Sequence, residues 1–181
     1  MEHKLNFESL KKNVMDVIKE SQMKLGYSRN AIGLYYQLDS LNCLLDADMD
    51  EADMKQALQE FAMFVREELG NISISESRAR FCIRVPEEGV QYVHEKVEDS
   101  GFLREFIETM RGCGLNLERI LRVFYHYSDK VICEKIENEE FDYLIYFEDG
   151  IPDEFWYCVK LEGGHAIYHR FTSKEYEKFG F

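Results

Sequence analysis

The stretch Val159-Lys-Leu-Glu-Gly-Gly-His-Ala-Ile-Tyr168 constrains this chain more than any other. Two consecutive glycines take the positive φ angles of a two-residue hairpin turn, and apolar residues alternate with polar ones on both sides of Gly163-Gly164. A turn there sets a register. On one face Glu162 meets His165, Lys160 meets Ile167, Cys158 meets His169 and Trp156 meets Phe171; on the other, Leu161 meets Ala166, Val159 meets Tyr168 and Tyr157 meets Arg170. Upstream, Val131–Ile136, Phe141–Phe147 and Phe155–Leu161 read as strands leading into this hairpin, and a short helix, Lys174–Phe179, follows it.

Before Lys130 the apolar period is helical. Asn6 is an N-cap for a helix bearing Phe7, Leu10, Val14, Val17, Ile18 and Leu25, which stops at Gly26. Leu34, Leu38, Leu41 and Leu45 are spaced for a helix from about Leu34, although Tyr35-Tyr36 would suit a strand. Asp50 opens a helix with Met54, Leu58, Phe61, Val65 and Leu69 as its stripe, closed by Gly70. Two short strands follow, around Ile72–Ile74 and Phe81–Val85, as a hairpin turning near Glu76–Arg78. Pro86, Ser100 and Asn116 then start three more helices, the last with a Leu115–Ile120 staple.

This order specifies the α+β class: a helix-rich N-terminal two thirds packed on a C-terminal antiparallel meander. With no repeat, linker or compositional seam, residues 1–181 read as one domain. The expected core includes Leu58, Phe61, Val65, Phe106, Ile107, Leu121, Phe124, Val159 and Tyr168.

Composition removes several function classes. Lys and Arg number 22 against 35 Asp and Glu, a formal charge of −13 that repels phosphate backbones and anionic membranes, so no nucleic-acid or membrane partner is expected. No apolar run approaches the roughly 20 residues of a membrane span, and Met1-Glu-His-Lys-Leu-Asn6, with no apolar stretch, is not expected to act as a signal peptide. Five scattered cysteines without a C-x-x-C pair point to unbridged thiols in a reducing compartment, hence a cytoplasmic protein.

No motif demands a metal or cofactor. The run from Asp46 to Asp53 resembles a calcium loop, but Glu51 and Ala57 stand where its sharp-turn glycine and bidentate glutamate belong. His165 and His169 have helical metal-ligand spacing, yet on a strand they lie about 13 Å apart. Phosphate-loop, dinucleotide-fold, nucleophile-elbow and kinase patterns are absent. The chemical candidates are Cys158, opposite His169 as a thiol–imidazole pair that Glu148 or Asp149 would orient, and His126, favoured as a cation by its helix C-terminus. Packing roles account for all three residues better than catalytic ones.

Charge placement is more informative. Glu134–Glu154 holds nine acids and one base, Lys135, so most of the net charge sits in 21 residues interleaved with aromatics. Acidic residues speed encounter with basic surfaces and aromatics supply contact area, which marks Glu139, Glu140, Asp142, Tyr146, Glu148, Asp149 and Trp156 as candidate binding residues for a basic protein partner. The same carboxylates would also deter edge-to-edge aggregation.

Leu34-Tyr-Tyr-Gln-Leu-Asp-Ser-Leu-Asn42, Arg80-Phe-Cys-Ile-Arg-Val-Pro-Glu-Glu-Gly-Val90 and the Phe155-to-Phe171 hairpin resemble a family of uncharacterised bacterial proteins of about this length. The resemblance implies a bacterial cytoplasmic protein and supplies no activity or catalytic residue. The expected function is therefore non-catalytic protein–protein contact. The alternative is a thiol- or histidine-dependent enzyme, or a small-molecule binder, using Cys158 and His169.

Overall fold

Four helices begin where a short polar side chain can take a backbone proton. Asn6, Asp50, Ser100 and Asn116 accept from the N–H groups of Ser9, Asp53, Leu103 and Arg119 at 3.1, 2.9, 3.3 and 2.9 Å, each satisfying an orphan donor of the first turn. The computed structural model describes residues 4–179. The chain forms two compact units, Met1–Glu98 and Asp99–Phe181.

The first unit runs α1 (Phe7–Leu25), β1 (Ile32–Gln37), α2 (Leu38–Leu45), α3 (Glu51–Phe64), α4 (Arg66–Leu69), β2 (Ser73–Ser77), β3 (Arg80–Val85) and α5 (Glu87–Lys96). Its antiparallel sheet has the order β1-β3-β2. The inward residues Leu34, Tyr36, Phe81, Ile83 and Val85 join Leu10, Val14 and Ile18 of α1, Leu41 and Leu45 of α2, Met54, Leu58 and Phe61 of α3, and Val90 and Val93 of α5 in one core. Gly89 is required in α5. A Cβ there would fall on the backbone carbonyl oxygen of Leu69 and 2.6 Å from Val85 Cγ1.

Three sequence expectations change here. Ile32–Gln37 is a strand, because Leu34 and Tyr36 share an inward face and β3 supplies backbone partners, so the helix begins only at Leu38. The helix expected from Asp50 to Leu69 breaks at Val65, whose ψ of 3° ends α3 before the single turn of α4. Pro86 is the cap of α5 rather than its first residue, with ψ 172°. The β2–β3 turn falls at Arg78 and Ala79, both at positive φ.

The second unit runs α6 (Gly101–Met110), α7 (Leu117–Tyr127), β4 (Val131–Lys135), β5 (Tyr143–Phe147), β6 (Trp156–Glu162), β7 (His165–Phe171) and α8 (Ser173–Phe179). The four strands form an antiparallel meander in sequence order. All seven β6–β7 pairs implied by the Gly163-Gly164 turn are present, with φ of 60° and 79° at the two glycines. The turn is also clasped from outside, since Leu115 N–H, between α6 and α7, donates to the Gly164 carbonyl at 2.8 Å.

One face of the meander carries an aromatic core. Phe102 and Phe106 of α6 and Phe124 of α7 pack edge-on against Tyr157, and Phe106 also meets Tyr168 at 4.8 Å. Each fully buried ring contributes about 1.5–3 kcal/mol. Of the expected core residues, Leu121 and Tyr168 are half-buried and the others are buried. The chain is thus α+β, with its strand-rich end a C-terminal meander.

Candidate functional site

Period-2 alternation assigns every side chain of the meander to one of two faces. Leu144, Cys158 and His169 share a row, as do Tyr146 and Ile132, and Trp156 and Phe171; all point away from the face that holds Tyr157 and Val159 against α6 and α7. On this second face lies a half-buried aromatic patch. Tyr146 and Trp156 stack at 4.3 Å with their planes 15° apart, and Tyr176 of α8 tilts against Trp156 at 5.3 Å. Phe171 and Phe141 meet edge-on at 6.5 Å. Beneath the patch, Ile136, Leu144 and Cys158 form a small apolar cluster.

Glu134, the fourth residue of β4, is an exposed carboxylate on this face. Its charge is felt by the rings: burial first, then Glu134 and Glu148, raises the Tyr146 phenol above its ordinary pKa, and burial with Cys158 and Glu134 does the same to Tyr176. A cation placed there would meet one carboxylate beside aromatic rings, an arrangement that attracts Lys or Arg side chains.

The candidate binding residues divide. Tyr146 and Trp156 are in contact. Glu139 and Glu140 lie exposed before β5, while Glu148 and Asp149 lie after it, so the acids flank the patch at opposite ends of the strand. Asp142 and Asp149 have structural partners. Leu161 N–H donates to Asp142 Oδ2 at 2.7 Å, and Lys130 Nζ lies 3.1 Å from Asp149 Oδ2, which holds that carboxyl below its ordinary pKa. Asp153 is likewise engaged, accepting from Tyr157 OH at 2.8 Å and from Phe155 N–H at 2.9 Å. The exposed field therefore comes from the glutamates. Glu134, Glu137, Glu139, Glu140 and Glu148 have no ion-pair partner among the described residues.

The chemical candidates are dispersed. Cys158 and His169 are paired across β6 and β7, but Cys158 is fully buried while His169 is exposed, its ring 4.2 Å from that of Phe171. Burial pushes the Cys158 thiol up to about 12, the opposite of what a thiolate nucleophile needs. His126 belongs to α7, on the other face of the sheet, where its Nδ1 lies 3.0 Å from Glu105 Oε2. Glu148 and Asp149, suggested as orienters for His169, stand at the far end of β5, and Asp149 is taken by Lys130. The three candidates share no cleft.

Among the described residues no group of His, Cys, Asp and Glu has metal-binding geometry, and no helix is long and apolar enough to cross a membrane. The five cysteines carry no disulfide. Sequence reasoning missed Asn42, a buried side chain of α2 that donates to the Met49 carbonyl and accepts from the Met49 N–H, both at 2.9 Å. An isolated asparagine in an apolar helix was the only signal for it. It also gave no weight to Tyr176, whose contact with Trp156 depends on where α8 folds back.

No curated protein and no solved structure matches the chain. A family model described as "Domain of unknown function, E. rectale Gene description (DUF3877)" matches residues 7–180, and the chain belongs to that family.

Proposed function

We propose that this protein acts without catalysis, by holding a basic surface of a partner protein on the Tyr146–Trp156–Tyr176 face of its meander. The observation that supports this reading is the exposed Glu134 carboxylate set among those half-buried rings, with Glu139, Glu140 and Glu148 at the two ends. Half-buried aromatics provide the desolvated contact area on which interface energy concentrates, and the surrounding carboxylates steer an approaching cation. A buried, proton-holding thiol at Cys158 supports a binding role over a thiol-dependent one. The unbridged cysteines are consistent with a reducing cytoplasm, and the family description's reference to E. rectale with a bacterial source.

The chain supplies its own reporter, because Trp156 is its one tryptophan. Titration with an arginine-rich peptide should change Trp156 emission. The midpoint should rise steeply with salt as the Debye length falls from roughly 30 Å at 0.01 M to 3 Å at 1 M. Replacing Glu134, Glu139, Glu140 and Glu148 by glutamine should abolish the response while leaving the far-ultraviolet circular dichroism unchanged. Asp142 and Asp149 are kept because they have structural partners. An unchanged titration in the variant refutes the proposal.

A further inference from the structure

The outward face of the β1-β3-β2 sheet has the opposite character to the rest of the chain. Register places Gly33, Tyr35 and Gln37 of β1, Arg80, Cys82 and Arg84 of β3, and the serines of β2 on this side. None is acidic, although 35 of the 181 residues are. All are exposed except Cys82, which is 8% exposed. Among the described residues no carboxylate lies within ion-pair reach of Arg80 or Arg84.

The centre of the face is shaped. Tyr35 is directly opposite Cys82, and its side chain reaches back over Gly33, with Cε2 and the phenol oxygen 3.8 and 3.9 Å from where a Cβ on Gly33 would stand. The ring thus lies along the sheet beside the glycine gap, and Tyr35 remains 61% exposed. Arg80 and Arg84 stand on either side of Cys82 along β3, about 13 Å apart at the ordinary strand rise. In an extended chain, same-side residues four apart stand at that same interval, with one same-side residue between them.

We propose that this face binds an extended acidic segment of a partner protein. Two carboxylates four residues apart take Arg80 and Arg84 in forked hydrogen bonds, and the side chain between them rests on Tyr35. Charge complementarity selects this occupant. At a Debye length of about 8 Å the arginine face is felt locally, and the densest block of acids, Glu134–Glu154, belongs to the second unit. A polynucleotide suits the patch less well, because three strands span only about 10 Å and two arginines engage few of its phosphates.

The test is fluorescence anisotropy of a labelled peptide of alternating glutamate and threonine, beside a labelled single-stranded oligonucleotide, with the full chain. The acidic peptide should bind, more weakly as salt rises. Arg80→Glu with Arg84→Glu should weaken it by about tenfold or more, and the lysine pair should weaken it less. Tyr35→Ser should weaken it without changing the salt dependence. All three positions are exposed, and circular dichroism verifies that the variants fold. Four outcomes overturn the proposal: no binding of the peptide, equal binding by wild type and charge-reversed variant, tighter binding of the oligonucleotide than of the peptide at the same salt, or a wild-type dimer in sedimentation velocity that charge reversal dissociates. None of these results touches Glu134 or Trp156, so the reading of the meander stands or falls separately.

Discussion

Gly89→Ala sets two opposite effects against each other. Gly89 is the third residue of α5, where alanine is intrinsically better than glycine by up to about 1 kcal/mol. Against this, the added methyl overlaps the Leu69 carbonyl oxygen and stands 2.6 Å from Val85 Cγ1. Carbon atoms rest at about 3.5–4 Å, so α5 must move outward by about 1 Å. The helix carries Val90 and Val93 into the core, at 4% and 0% exposure. A gap of that size forfeits a quarter to a half of their contacts, or about 1–2 kcal/mol for the pair, and residual crowding adds to it. The net expectation is a loss of about 1–2 kcal/mol, which lowers a urea midpoint by about half to one molar. Gly101→Ala is the control. It also places alanine in a helix, but its nearest neighbour is Tyr127 OH at 3.4 Å, so its midpoint should match or slightly exceed wild type. Denaturation followed by circular dichroism measures both. A Gly89→Ala protein as stable as the control refutes the close-approach reasoning.

Ala79 sits at φ 61° in the β2–β3 turn, so Ala79→Gly should raise stability by about 0.5–1 kcal/mol in the same assay. Iodoacetamide near neutral pH should label the exposed Cys113 first and Cys158 last by mass spectrometry, since Cys158 is buried and its thiol holds its proton to about 12; early labelling of Cys158 contradicts the structure. The hydrogen bond from Lys130 holds the Asp149 carboxyl below its ordinary pKa, so the contribution of this pair is present above that value and is lost as pH falls. Lys130→Met should therefore move the Asp149 midpoint upward in an NMR titration, and an unmoved midpoint removes the pair as the cause.

Local chemistry was legible wherever one residue dictates a backbone geometry. The Gly163-Gly164 turn carries its whole register with it, because a two-residue loop leaves no freedom in strand pairing. The caps at Asn6, Asp50, Ser100 and Asn116 were legible for the same reason. Misreadings arose where neighbours decide. Leu34 fits a helical stripe with Leu38 and Leu41 and a strand face with Tyr36, and only pairing with β3 selects the strand. Of the candidate site, the Tyr146–Trp156 contact follows from alternation plus the β5–β6 register. The engagement of Asp142 by the Leu161 N–H and of Asp149 by Lys130 does not, because hydrogen-bond partners nineteen residues apart leave no periodic trace. The alternation of Arg80, Cys82 and Arg84 with Phe81, Ile83 and Val85 is legible in β3 alone, but Tyr35 could be placed beside them only once Leu34 is known to lie in a strand rather than a helix.

The bond from Leu115 to Gly164 alters how much change the second unit can absorb. A hairpin tip ordinarily accepts inserted residues well, since few contacts lie beyond it. Here the tip is the point at which the loop between α6 and α7 is fastened, and a Cβ on Gly164 would stand 3.5 Å from the Gly114 backbone. Lengthening the turn would release that loop and slide Tyr168 away from Phe106. The permissive tip is instead Arg78-Ala79 in the first unit, which is exposed. A short tag or label belongs there, and Gly163-Gly164 should be left intact.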